Sequence, residues 1–165
     1  MSDESTSSNA GDDTAGGSIT TRAYRSFQRL SSGDQAQLRR GSAGAEAFWR
    51  ILYDIGEMDG RADLWRALLV AIAHAERHDP GVPFGKALAE ARWSKARFVR
   101  LMEADQDALK TALRRCAQYL NSKNQAANWN HARKLLFYTG EYAEDIRLQI
   151  SRDYYRERRK MEEGS

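Results

Sequence analysis

Proline occurs only twice in this chain of 165 residues, at Pro80 and Pro83. Nearly the whole length is therefore free of the residue that most strongly interrupts helices. No segment sustains the period-two alternation of a half-buried strand, while apolar residues recur at helical spacing in one segment after another. The sequence predicts an all-α fold of about eight helices. The first 18 residues, MSDESTSSNAGDDTAGGS, hold no large apolar anchor beyond Met1. Nothing in them offsets the entropy of ordering the chain, so they are expected to form a disordered acidic tail ahead of one all-α domain at 19–165.

Local signals divide that domain. An amphipathic segment starts at Thr20, carries Tyr24, Phe27 and Leu30, and ends at Ser31-Ser32-Gly33. Asp34 is placed to cap a short second helix, with Leu38 facing inward and Arg39-Arg40 closing the last turn before Gly41. Residues 45–56 repeat the helical pattern through Phe48, Trp49, Leu52 and Ile55. Residues 61–77, with Leu64, Trp65, Leu68, Leu69 and Ile72, form the most apolar stretch and are expected to be the central core helix. The run His78-Asp79-Pro80-Gly81 ends it. Pro83 then opens a short helix to Ala91, a position where its missing amide costs nothing.

Ser94 is a cap for a helix holding Phe98, Leu101 and Met102, with Arg97 and Arg100 beside that strip and pointing to solvent. Residues 107–120 are expected to bury Leu109, Leu113, Cys116 and Leu120, leaving Lys110 and Arg114 on one flank and Arg115 on the other. Asn128 caps a helix with Trp129, Leu135, Leu136 and Tyr138, and Gly140 separates it from a long last helix, Glu141 to about Met161. Trp49, Trp65 and Trp129 fall at apolar helical positions and read as core anchors. Trp93 stands apart, at a helix boundary between Arg92 and Lys95.

Catalytic patterns are weak. His74 and His78 lie four residues apart on one helical face, but a metalloprotease pair needs Glu directly after the first His, and Ala75 stands there. They read as polar residues at a helix end. His131 reads as a surface or capping residue. The acidic group Asp54, Glu57, Asp59 and Asp63 suits a solvated loop and a helix start better than a divalent-ion site. Cys116 sits at a core position, and neither GxxxxGK[ST] nor GxGxxG occurs. The expectation is a protein that is not an enzyme and needs no cofactor or metal. One cysteine cannot form an internal disulfide, no secretory signal pattern opens the chain, and no apolar run nears the ~20 residues of a membrane span, so a cytoplasmic location off the membrane is expected.

Charge carries the functional signal. The net +3 is uneven: residues 1–18 hold four acids, Asp3, Glu4, Asp12 and Asp13, and no Lys or Arg. Residues 19–165 hold all 26 basic groups against 19 acidic ones, a net of +7. That excess lies within residues 86–134, where eleven basic groups face four acidic ones. Charge concentrated within a Debye length of ~8–10 Å attracts polyanions better than the same charge spread evenly. The candidate nucleic-acid-binding set is Arg39, Arg40, Arg97, Arg100, Lys110, Arg114, Arg115, Arg133 and Lys134. Each could neutralise a phosphate and release counterions. The pattern alone suits a nucleic-acid partner or an acidic protein equally.

The order of short motifs separates these. Residues 24–40, YRSFQRLSSGDQAQLRR, resemble the opening of the CasB family, the small subunit of the type I-E CRISPR Cascade complex, in which an aromatic helix leads through a glycine turn to a Leu-Arg-Arg triplet. GKALA at 85–89, RFVRLM at 97–102 with Ala104-Asp105, LRR at 113–115 and Asn128-Trp129 follow in the family's order, over roughly residues 20–155. Asn128 stands where the family often has Asp, and the acidic extension has no counterpart that can be matched.

The resemblance implies two small helical bundles with a boundary near residues 80–94, and a non-catalytic role in antiviral defence. It implies contact with the other Cascade subunits, self-association as a head-to-tail pair, and help in holding guide RNA and target DNA. The displaced non-target strand of the R-loop would be the special target of its basic surface. The triplet makes Arg39 and Arg40 the first candidates, Arg97, Arg100, Arg114 and Arg115 the next, with Lys110, Arg133 and Lys134 behind them. A stand-alone helical DNA-binding regulator and a protein–protein adaptor are the alternatives.

Overall fold

In a computed structural model, residues 17–41 and 45–164 are described, and all their regular structure is helical. The helices are α1 (Ile19–Gln28), α2 (Ser32–Arg40), α3 (Glu46–Asp54), α4 (Ala62–Ala75), α5 (Phe84–Glu90), α6 (Lys95–Glu103), α7 (Gln106–Ser122), α8 (Trp129–Phe137) and α9 (Gly140–Glu163). The expected tail lies, for its first sixteen positions, outside the described residues.

The caps explain the boundaries. Ser18 Oγ accepts from the Thr21 amide, Ser94 Oγ from Arg97, Asp105 Oδ1 from Ala108 and Asn128 Oδ1 from Asn130. Each supplies an acceptor to a first-turn amide that has no partner within the helix. Asp34 was expected to cap α2, but Ser31 does so, with its Oγ 3.1 Å from the Asp34 amide. The helix starts earlier, which puts the Asp34 carboxylate in the first turn, where the dipole favours it and Arg50 reaches it at 3.2 Å. Gly41 ends α2 in the left-handed conformation, φ 69°, beside the Arg39-Arg40 turn.

α4 is the central helix. Its buried residues surround the axis (Leu64, Trp65, Leu68, Leu69, Val70, Ala71, Ile72, Ala73, Ala75), and it touches α1, α2, α3, α7 and α8. The most extensive contacts are α4 on α7 and α5 on α9. The second is close because α5 presents Gly85. A Cβ there would fall within the van der Waals shell of the Ile150 carbonyl oxygen and 3.0 Å from the Tyr154 amide nitrogen. α6 is anchored by Phe98, whose ring stacks on Tyr154 at 3.9 Å, and by Leu101. Buried residues from all nine helices join one core cluster.

Trp49 departs from expectation. It is 41% exposed, because Phe48, Ile51 and Leu52 already fill the inward stripe of α3 and Trp49 falls about 100° to one side, under the Arg66 guanidinium. Trp65 and Trp129 are core residues, and Trp93 is buried as well, edge-on to Tyr119 at 5.0 Å.

Candidate nucleic-acid interface

The predicted cations sort by what the folded helices already ask of them. Arg39 Nε donates to the Ala73 carbonyl and its Nη2 pairs with Glu76, both at 3.0 Å, so this guanidinium ties α2 to the end of α4. Lys110 pairs with Asp63 at 3.2 Å and Asp107 at 3.5 Å. The hydrogen bond to Asp63 holds the ammonium above its ordinary range and the Asp63 carboxyl below its own. Arg133 is buried, with Nε on Asn130 Oδ1 at 3.0 Å and its guanidinium 5.7 Å from the centre of the Phe137 ring. Its position follows from Trp129, Leu136 and Phe137, which place residue 133 on the apolar side of α8. Lys134 is half-buried in the last turn of the same helix.

Arg40 and Arg114 are exposed and make no side-chain hydrogen bond or ion pair with described residues. Arg114 and Arg39 both lie close enough to His74 to oppose its protonation; burial is the larger cause of its lowered pKa. Arg39, His74 and Arg114, with Glu76 paired to Arg39, thus lie near one another where α2 and α7 meet α4.

Arg97, Arg100 and Arg115 form the second grouping. α6 contributes Arg97, Arg100, Leu101 and then Ala104, while α7 contributes Ala108, Thr111, Ala112, Arg115 and Tyr119. Each set follows a three-to-four-residue spacing and so forms one stripe of its helix. The two stripes, with Trp93 at one end, line an open groove of about 660 Å³. All three arginines are exposed, and none pairs with a described acid. Arg97 lies 5.2 Å from the Trp93 ring centre. The lining holds three cations, no carboxylate, and a floor of alanine, leucine and aromatic carbon. Such a surface meets phosphates with its rim and flat apolar faces with its floor.

Tyr119 and the alanines of the floor were absent from the sequence prediction. Their signal was the four-residue spacing of Ala104, Ala108 and Ala112, which leads on to Arg115 and Tyr119. Small residues at that spacing open the space between two helices.

The other chemistry-bearing residues have structural partners. His78 Nδ1 accepts from the Trp129 amide at 3.1 Å and Nε2 lies 2.9 Å from Thr21 Oγ1, so the ring is neutral and carries its proton on Nε2. Burial pushes its pKa down to about 4. His74 Nε2 is 3.0 Å from the Arg39 carbonyl, and His131 Nδ1 accepts from the Phe84 amide at the start of α5. Among the described residues, no three His, Cys, Asp or Glu side chains come together in a way that could hold a metal ion. The Cys116 thiol is fully buried and pushed up to about 12. No helix among the described residues is long and apolar enough to cross a membrane.

Residues 34–155 match the family model described as CRISPR-associated protein Cse2. No curated protein matches the chain. Among solved structures, a chain in the crystal structure of Escherichia coli Cascade bound to a PAM-containing double-stranded DNA target is similar to it, at 26% identity and a TM-score of 0.68, over 84% of this chain and 95% of that one.

Proposed function

The chain belongs to the CRISPR-associated Cse2 family, and from that premise we propose that it is a non-catalytic small subunit of a Cascade complex whose α6–α7 groove binds the displaced single strand of the R-loop. The observation that carries this is the convergence of Arg97, Arg100 and Arg115 around an apolar floor with no carboxylate in the lining. The similar chain of the E. coli complex was solved with target DNA present, which supports a nucleic-acid partner over an acidic protein.

The energetics suit a modest binder. R-loop formation exchanges one duplex for another of about equal stability, so a few phosphate contacts on the released strand shift the balance. No base needs to be read, because the guide supplies sequence and the groove supplies charge and a surface for stacking. Arg40 and Arg114, both exposed, extend the same role outside the groove. Guide RNA contact, head-to-tail pairing and contact with other subunits belong to the same proposal.

The test is to assemble the remaining Cascade subunits on duplex target with wild-type chain, with the triple variant Arg97→Ala, Arg100→Ala, Arg115→Ala, and with no chain. A shortened R-loop lifetime in the triple variant, with normal incorporation, supports the groove. An unchanged lifetime argues for an adaptor role, and tight binding of one duplex sequence by the isolated chain would argue for a regulator.

A further inference from the structure

The turn that joins α5 to α6 carries a residue its backbone does not favour. The Trp93 amide donates to the Leu88 carbonyl and the Arg92 amide to the Ala89 carbonyl, both at 2.9 Å, and the two bonds close α5. Such a turn holds one residue left-handed, a place where glycine is usual because it has no Cβ. Arg92 stands there, at φ 66°. Arg61, Glu76 and Asn124 also hold positive φ, and the fold uses the side chain of each. The Arg61 guanidinium lies 5.7 Å from the Phe137 ring centre, Glu76 binds Arg39 and Asn121, and Asn124 accepts from Arg77. The Arg92 side chain is exposed and makes no hydrogen bond, ion pair or ring contact with described residues. A strained residue that persists without a use inside the fold points to a ligand.

Its surroundings say which ligand. Trp93, the next residue, lines one end of the α6–α7 groove. The carbonyl of Ala91, the residue before, accepts from the hydroxyl of Tyr119, whose ring meets Trp93 at that same end. Lys123 follows one turn further along α7, exposed, its Nζ 5.6 Å from the Tyr119 ring centre and in no ion pair with described residues. At the helical rise it stands about 12 Å beyond Arg115. Arg92 and Lys123 therefore flank the Trp93–Tyr119 end of the groove, one from the α5–α6 turn and the other from α7.

We propose that Arg92 and Lys123 form a phosphate clamp at the mouth of the groove, which holds the single strand where it leaves the Trp93–Tyr119 end. The proposal rests on the groove being the strand site, and it adds two residues to that site. Neither reads a base; each fixes the path of the backbone. One phosphate contact to a single strand carries about 0.7 in the slope of log affinity against log salt, which at about 0.1 M salt corresponds to about fivefold in affinity.

Arg92→Gly separates this role from a structural one, because it should move stability and strand binding in opposite directions. Glycine removes the left-handed strain, which outweighs the freedom it adds to the unfolded chain, so the thermal midpoint of the full chain should rise by about 1–3 °C. In the assembled Cascade complex on a duplex target, with normal incorporation, the same variant should shorten the R-loop lifetime about fivefold at about 0.1 M salt and lower the salt slope by about 0.7. Arg92→Lys keeps the charge and should keep the lifetime within about twofold of wild type. Lys123→Ala should shorten the lifetime as Arg92→Gly does, with the thermal midpoint unchanged.

A lowered midpoint in Arg92→Gly would show that the side chain serves the fold, and failure of that variant to enter the complex would assign it to a neighbouring subunit. Either result overturns the clamp. So does a lifetime unchanged in Arg92→Gly or in Lys123→Ala, or one shortened equally by Arg92→Lys. The groove variant R97A/R100A/R115A is measured alongside. If it shortens the lifetime while Arg92→Gly does not, the strand site stands and the clamp alone falls. If it leaves the lifetime unchanged, the strand site is misplaced and the clamp falls with it.

Discussion

His78 couples three parts of the chain, and lowering pH should weaken that junction by a calculable amount. Its ring joins α1 through Thr21 and the start of α8 through the Trp129 amide, and packs edge-on to Tyr24 at 5.5 Å. Burial is the main reason its pKa falls from 6.5 to about 4; Asp79 and the Ala127 interaction oppose the fall, and Arg25 adds to it. Because the folded pKa lies below the unfolded one, the contribution is fully present above pH 6.5 and is lost as pH falls towards 4. In that window the unfolded chain takes up a proton that the folded chain refuses. The full shift corresponds to about 3 kcal/mol, and about 2 kcal/mol of it is lost between pH 7 and pH 5. His78→Asn keeps an acceptor for the Trp129 amide but does not titrate. Urea unfolding of both proteins, followed by tryptophan fluorescence at the two pH values, isolates the effect, because the losses from His74 and the carboxylates are common to both. Wild type should lose about 2 kcal/mol more than His78→Asn. Equal losses, or an imidazole seen by NMR to titrate near pH 6.5, would refute the buried neutral junction.

The close crossing of α5 and α9 predicts that Gly85→Ala destabilises the fold by about 3 kcal/mol or more, read as a lower thermal midpoint, since the obstacle is backbone that cannot step aside. Arg133→Ala should cost about 2–3 kcal/mol by leaving Asn130 and Thr20 with a broken buried network, and any loss of strand binding should follow the loss of folded protein. Cys116 in the native chain should react with a thiol reagent only at the rate of global unfolding, and at full rate in denaturant.

Much of the fold was legible because its signals are local. The near absence of proline, the apolar run of α4, and the caps Ser94 and Asn128 each depend on residues within one turn of one another. Asp34 misled because two good capping residues, Ser31 and Asp34, stand three apart and only the helix start decides between them. Trp49 misled because its hydrophobicity suggested the core while its angular position on α3 did not.

The site was harder to read for a different reason. Arg39 meets Glu76, and Lys110 meets Asp63, across 37 and 47 residues of sequence, and no periodicity reports such partners. Arg133 could have been placed, since its spacing from Trp129 and Leu136 is that of a core residue, but its charge argued for the surface. Arg97, Arg100 and Arg115 were read correctly as solvent-facing, yet their meeting depends on how α6 and α7 are placed relative to one another across Ala104-Asp105. That placement follows from core packing, in which Phe98 and Leu101 anchor α6 and Leu109 and Leu113 anchor α7.

The most direct test of the strand-binding groove is the salt dependence of affinity for the displaced strand, measured in the assembled complex with wild-type chain and with Arg97→Ala, Arg100→Ala, Arg115→Ala. Each single-strand phosphate contact contributes about 0.7 to the slope of log affinity against log salt, so losing three contacts should lower the slope by about 2. A slope unchanged by removal of all three arginines would contradict strand binding in the groove.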